Sequence, residues 1–166
     1  RTNFKNIYVM PAMGDDGLAI GSAILTALEV GEDVSWLKNH IMPFFGDEYS
    51  RKQVKSALDS FDNIIVEDLE SNWPEEAAKS VAKGKICSLF HGKMEFGPRA
   101  LGNRSIIGNP MMEDTRQRIN STVKRRPSYQ PFCPSILEEE RGRLFKDSFP
   151  HKHMAIAFRM KEEHIK

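Results

Sequence analysis

The chain has 166 residues, 40% of them hydrophobic and 9% aromatic, with 24 Lys and Arg against 23 Asp and Glu for a formal net charge of +1. That length holds one domain, or one domain and a piece of another, and its apolar content excludes wholesale disorder and allows a packed core. A nearly neutral global field argues against a general binder of nucleic acid or of membrane surfaces, and no apolar run approaches the roughly 20 residues that a membrane span needs.

In chain order, "NIYVMP" (6–11) reads as a short strand ended by Pro11. A helix follows in "GDDGLAIGSAILTALEVG", with Asp15 or Asp16 as its cap and Gly31 at its C-terminal end. Gly17, Gly21 and Ala23 form a small-residue face on which another backbone could approach closely. Residues 32–49 read as irregular, with "MPFFGDEYS" as a linker. Ser50 and Gln53 match a capping box, and Val54, Ala57, Leu58 and Phe61 then follow at helical spacing. "NIIVED" is a strand candidate, Pro74 opens a helix that Gly84 closes, and "KICSLF" (85–90) is a buried-type strand. "SII" (105–107) predicts a second short strand, and Asp114 caps a helix through "TRQRINSTVKRR" on which Ile119 and Val123 share a face. Met154, Ile156, Phe158 and Met160 alternate, so the tail predicts a strand. This mixture indicates an α/β or α+β fold with a domain boundary near residues 40–50, and the chain holds no internal repeat.

The charge is uneven. From Lys93 to Arg126 there are eight Lys and Arg against three acids, and the stretch opens on "HGKMEFGPRALGNRSIIGNP" (91–110), where Gly and Pro rule out one regular helix. A localised cationic patch on a Gly-containing loop suits phosphate or carboxylate: Arg offers a planar fork, and Gly lets backbone N–H groups approach the anion. Arg99 follows Pro98, which fixes local geometry, and Arg104–Ser105 pairs a cation with a hydroxyl where a strand begins. The plain alternative for Lys124, Arg125 and Arg126 is that cations at a helix C-terminus complement its dipole. For Arg99 and Arg104 it is a surface loop or a structural ion pair. Between Lys93 and Arg126 the sole aromatic is Phe96, which disfavours a single-stranded nucleic-acid platform.

Other candidates carry less chemistry. His151 and His153 fall on one side of a strand, but two ligands without a third are more often plain surface. Cys87 sits in an apolar strand as core, Cys133 has no base nearby in sequence, and the eight Met read as core filling. Two cysteines make no disulfide framework, and with no signal sequence the chain reads as cytoplasmic. The first residue is Arg, so the chain reads as a piece of a longer gene product.

At "GKMEFGPRALGNRSIIGNP" the chain resembles the O-carbamoyltransferases of nodulation-factor and antibiotic carbamoylation, which carry a nearly identical "G(R/K)MEFGPRALGNRSI" run. "PAMGDDGLAIGSA" (11–23) and "VKRRPSYQPFCPSIL" (123–137) are similar to two further family segments, so the resemblance covers essentially the whole chain.

The resemblance implies a two-domain enzyme. Residues 1–45 are expected to be the last piece of an actin-like ATPase-fold domain that binds metal and acceptor. Residues 46–166 are expected to be the first part of a YrdC-like domain, an incomplete twisted mixed sheet with helices. That domain would form carbamoyl adenylate from carbamoyl phosphate and ATP, and the carbamoyl group would pass to a hydroxyl acceptor. The resemblance places Arg99 and Lys124 on the carbamoyl adenylate, with Lys93, Arg104, Ser105, Arg126 and Gln130 as substrate- or nucleotide-binding residues. Asp15 matches a ligand of Fe(2+) or another divalent metal, whose partner histidines lie upstream, and Asp16 is then the cap. The expected partners are carbamoyl phosphate, ATP, a small-molecule hydroxyl acceptor and a second copy in a homodimer, with no membrane and no nucleic acid. Family segments beyond Lys166 are missing too, so this piece is expected to be inactive alone. The chain departs from the family at Gln130, where an Arg is usual, and at Pro127, where a Glu is usual; either Arg125 or Arg126 compensates, or the phosphate contact is weaker here. The competing reading is a YrdC-like nucleotide- or RNA-binding module without transferase activity.

Overall fold

A computed structural model of the protein describes residues 3–4, 8–39 and 43–165. The fold is α+β, mixing helices with a small antiparallel sheet. It divides into two compact units: Arg1–Gly46 with Lys93–Leu101 and Leu137–Lys166, and Asp47–Gly92 with Gly102–Ile136.

In the second unit, helix α2 (Arg51–Leu58) begins at the expected capping box. The Gln53 amide N–H donates to Ser50 Oγ at 3.4 Å, and the Ser50 N–H donates to Gln53 Oε1 at 2.9 Å. The helix ends before Phe61, which stays exposed. Helix α3 (Trp73–Ala82) has Pro74 in its first turn and ends in a Schellman motif: the Gly84 and Lys85 N–H groups bond the Val81 and Ser80 carbonyls, with Gly84 at φ 82°. Strand β1 (Cys87–Phe90) pairs antiparallel with β2 (Arg104–Ile107), setting Cys87 opposite Ile107 and Phe90 opposite Arg104. Helix α3 packs on β1. Helix α4 (Thr115–Arg118) continues as a π-helical turn over Ile119–Lys124 and stops at Arg125, whose φ of 48° is left-handed.

In the first unit, α1 (Asp15–Glu29) begins after Gly14. Asp15 and Asp16 occupy its first turn without a side-chain capping bond, so they complement the helix dipole rather than cap it. Gly31, at φ 83°, closes it: the Gly31 and Glu32 N–H groups bond the Leu28 and Ala27 carbonyls. The expected linker is pinned at its start, where Phe96 N–H donates to Pro43 O at 2.6 Å and Gly46 N–H to Met94 O at 3.0 Å. Near the C-terminus lies α5 (Arg141–Leu144), and Phe158 packs its ring on Phe145 and Phe149.

Several expected elements differ. Among the described residues of 6–11 there is no strand, and 63–68 is unpaired with Ile65 fully exposed. The tail contributes one isolated bridge, Phe145 with Met160, and Met154 takes φ 51°, which breaks the alternation. Asp114 makes no side-chain cap, and the switch to a π turn at Ile119 takes Val123 off the face of Ile119: Ile119 is buried and Val123 is 43% exposed. The buried apolar residues among those described are Ala12 and Ile119, and Met111 and Met94 lie exposed rather than filling a core. Units this small enclose little interior.

Candidate functional site

The loop between β1 and β2 carries the opening motif, and its acid is its first anchor. Glu95 is 8% exposed, and its Oε1 accepts the Leu101 N–H at 2.8 Å, tying one end of Glu95–Leu101 to the other. Gly97, at φ 114°, lies against the turn before α1: a methyl built on it would stand 3.3 Å from the Pro11 carbonyl oxygen and 3.4 Å from Ala12 Cα. The Phe96 ring meets Phe45 edge-on at 6.5 Å. Two segments more than eighty residues apart, "PAMGDDG" and "EFGPRA", therefore meet through main chain. The expected small-residue face of α1 is narrower than the sequence suggests. A methyl on Gly17 would stand 2.0 Å from the Ala12 carbonyl oxygen, whereas one on Gly21 meets nothing within 4 Å.

Arg99 sits on this braced loop, exposed, with no hydrogen bond or ion pair among the described residues. Its donors are available to an anion. Lys93, six residues earlier, is also exposed but engaged.

Arg104 is engaged with main chain. One Nη donates to the carbonyls of His91 (2.8 Å), Gly92 (3.2 Å) and Asn103 (3.1 Å). The other donates to Asp47 (3.3 Å) and Gly92 (3.2 Å). The guanidinium lies 3.7 Å over the Phe90 ring. These donors hold main chain together at the foot of the loop. Ser105 likewise serves the turn, its Oγ accepting the Gly102 N–H at 2.9 Å.

The second cationic cluster is organised by a residue that the charge pattern does not single out. Asn120 is fully buried, and its Nδ2 donates to the carbonyls of Ser128 (3.3 Å) and Gln130 (2.9 Å). Its Oδ1 accepts Arg126 Nε at 2.7 Å, and its carbonyl accepts the Arg126 N–H at 3.0 Å. The Arg126 guanidinium lies 4.7 Å over the Phe132 ring. The Lys124 and Arg125 side chains are exposed with no partner among the described residues. Gln130 contributes its main-chain carbonyl to this anchor, so the loop's hold does not depend on the side chain at this position. An Asn in a helical segment, followed by prolines seven and eleven residues on, is the one sequence sign of such a fold-back.

Asp15 stands beside Asp16 in the first turn of α1, and among the described residues no three His, Cys, Asp or Glu side chains converge to hold a metal. His151 and His153 meet ring to ring at 5.7 Å, but His151 Nε2 accepts the Ala155 N–H at 3.0 Å, so that nitrogen is occupied by the turn.

The profile of the Carbamoyltransferase C-terminus family matches residues 78–166, more than half of the chain. The chain belongs to the carbamoyltransferase family. An uncharacterized protein of Methanocaldococcus jannaschii is 60% identical over 98% of this chain and 27% of its own length. Nodulation protein NolO of Bradyrhizobium diazoefficiens is 36% identical over 86% of this chain and 26% of its own. The 3'-hydroxymethylcephem-O-carbamoyltransferase of Streptomyces clavuligerus is 32% identical over 97% of this chain and 29% of its own. This chain thus spans about a quarter to a third of the curated relatives it matches. No helix among its described residues is long and apolar enough to cross a membrane.

Proposed function

We propose that this chain is part of an ATP-dependent O-carbamoyltransferase, which forms carbamoyl adenylate from carbamoyl phosphate and ATP and passes the carbamoyl group to a hydroxyl acceptor. The observation that carries the reading is Arg99: an exposed guanidinium with unspent donors, on a loop fixed by the Glu95–Leu101 bond and the contact at Gly97. With one water consumed, adenylate formation releases phosphate from carbamoyl phosphate and pyrophosphate from ATP, and transfer to the acceptor hydroxyl then releases AMP. Negative charge therefore builds on leaving oxygens, and fixed cations stabilise it without reorganising. Arg99 and Lys124 would meet the transferring group. Lys93 and Arg126 would meet phosphate oxygens, Gln130 would offer an uncharged amide, and Arg104 and Ser105 would hold the loop. The same proposal assigns residues 1–45 to an actin-like ATPase-fold domain and 46–166 to a YrdC-like one. It makes Asp15 one carboxylate of a divalent-metal set completed elsewhere in the whole protein, and it places the enzyme in the cytoplasm as a homodimer.

The test is pyrophosphate release from ATP by the whole protein, with and without carbamoyl phosphate. Release that depends on carbamoyl phosphate supports the reading; ATP turnover indifferent to it, or none at all, refutes it.

A further inference from the structure

We infer that Asn120 is a positioning residue for phosphate binding: it holds Arg126 by its Nε against the Phe132 ring, so that the guanidinium meets phosphate with its two Nη groups. The inference rests on the proposed transferase reading for the identity of the phosphate, but its geometry stands on this unit alone. Of the three donor groups on the Arg126 guanidinium, Nε is consumed by Asn120 Oδ1 at 2.7 Å. The two Nη groups make no hydrogen bond among the described residues. One face of the guanidinium is covered by Phe132, 4.7 Å from the ring centroid. A guanidinium fixed by one edge and one face has lost most of its rotamer freedom before a ligand arrives, and it presents the paired edge that suits phosphate bidentately. Lys at this position could not be gripped at Nε.

The grip is not a by-product of helix packing. Asn120 has no exposed surface, and every side-chain hydrogen bond it makes goes to Arg126, Ser128 or Gln130. Its amide thus folds 126–130 back on the π-helical turn Ile119–Lys124, and the left-handed Arg125 is where the chain reverses. π turns are rare and recur at functional sites. The buried amide is fully used only if the loop is in this one place. An alternative loop position would leave its donors unpaired in the interior, which disfavours that position.

The experiment is a double-mutant cycle in the whole protein, reading KM for carbamoyl phosphate and for ATP separately, with kcat. Losing a preorganised charge-assisted contact predicts that Asn120→Ala raises KM for one of the two substrates about tenfold and changes kcat less than about twofold. The substrate affected identifies whose phosphate Arg126 meets. If Asn120 acts through Arg126, Asn120→Ala combined with Arg126→Lys is no worse than Arg126→Lys alone. Additive losses, or an unchanged KM for both substrates, overturn the inference and leave the transferase reading standing. Should Asn120→Ala fail to fold, Phe132→Leu, at a 39% exposed position, takes its place in the same cycle with the same two outcomes. If the unsubstituted protein turns over neither substrate, the transferase reading fails. The grip is then judged by the slowly exchanging Nε–H NMR signal of Arg126, and its survival in Asn120→Ala overturns the grip as well.

Discussion

Replacing Arg104 by Met tests whether its guanidinium is a brace or a ligand. The side chain donates to the carbonyls of Asp47, His91, Gly92 and Asn103, and lies 3.7 Å over Phe90. The bonds share two nitrogens and cannot be summed. Counting one good charge-assisted bond per nitrogen, at about 1.5 kcal/mol each because the carbonyls remain reachable by water, gives about 3 kcal/mol. The cation–π contact adds about 0.5 kcal/mol at this half-exposed position, and the Met stem keeps part of the packing on Phe90, so a net loss of about 2–3 kcal/mol is expected. The bond that reports it is His91 N–H to Asn103 O at 3.1 Å, which closes the foot of the loop. A loss of 2–3 kcal/mol in local opening corresponds to roughly 30- to 150-fold faster amide exchange at His91, read by hydrogen-exchange NMR or mass spectrometry. Arg104→Lys keeps the charge but has one nitrogen to place, and is expected to speed exchange about tenfold. If both variants exchange at the original rate while phosphate affinity falls, Arg104 is a ligand and the brace is wrong.

Arg99→Lys in the whole protein is expected to cut carbamoyl adenylate formation at least about tenfold, because a fork becomes a point charge; Arg116→Lys, exposed and unpaired among the described residues, should change it less than about twofold, and equal losses would mean that only the general positive field matters. Gly17→Ala is expected to destabilise the first unit by about 2–3 kcal/mol, since its new methyl would fall 2.0 Å from the Ala12 carbonyl oxygen and backbone must move; Gly21→Ala, facing open space in mid-helix, should be neutral or stabilising in thermal denaturation. His151 is held below the ordinary imidazole pKa by burial first and by the charge of His153 second. Its unfolded form binds a proton more readily, so stability at the 151–155 turn is intact above the ordinary imidazole range and is lost as pH falls through the lowered value. An NMR titration in which His151 protonates at or above the ordinary imidazole pKa, or in which the Ala155 amide exchange ignores that protonation, would contradict this.

Local signals were legible where a few neighbouring residues decide the outcome. Ser50 with Gln53, Pro74, Gly31 and Gly84 each state their role within one turn of helix, and each helix end they marked is there. The strands expected at 6–11 and 63–68 depend instead on a partner, and β-type composition does not say whether one exists; 63–68 has the right residues and, among the described residues, no strand to pair with. The π turn at Ile119–Lys124 was illegible for the same reason. It follows from where the Asn120 amide finds its carbonyls, eight and ten residues on, and main-chain carbonyls leave no mark in a sequence.

The cations show most clearly what spacing can and cannot say. By composition Arg99, Arg104 and Arg126 are equivalent members of one positive patch, and a charge count assigns all three to an anion. What separates them is how many donors the fold has already consumed. Arg104 has both Nη groups on carbonyls, Arg126 has given up Nε alone, and Arg99 has given up nothing among the described residues. Affinity for a phosphate depends on unspent donors held in place, not on formal charge. A guanidinium whose bonds are all made must break them to bind, and one with none must first be ordered by its backbone, as Pro98 and Gly97 order Arg99. On the proposed reading the three arginines rank as brace, gripped ligand and loop-borne ligand, an order that the paired exchange and kinetic measurements at these positions can reverse.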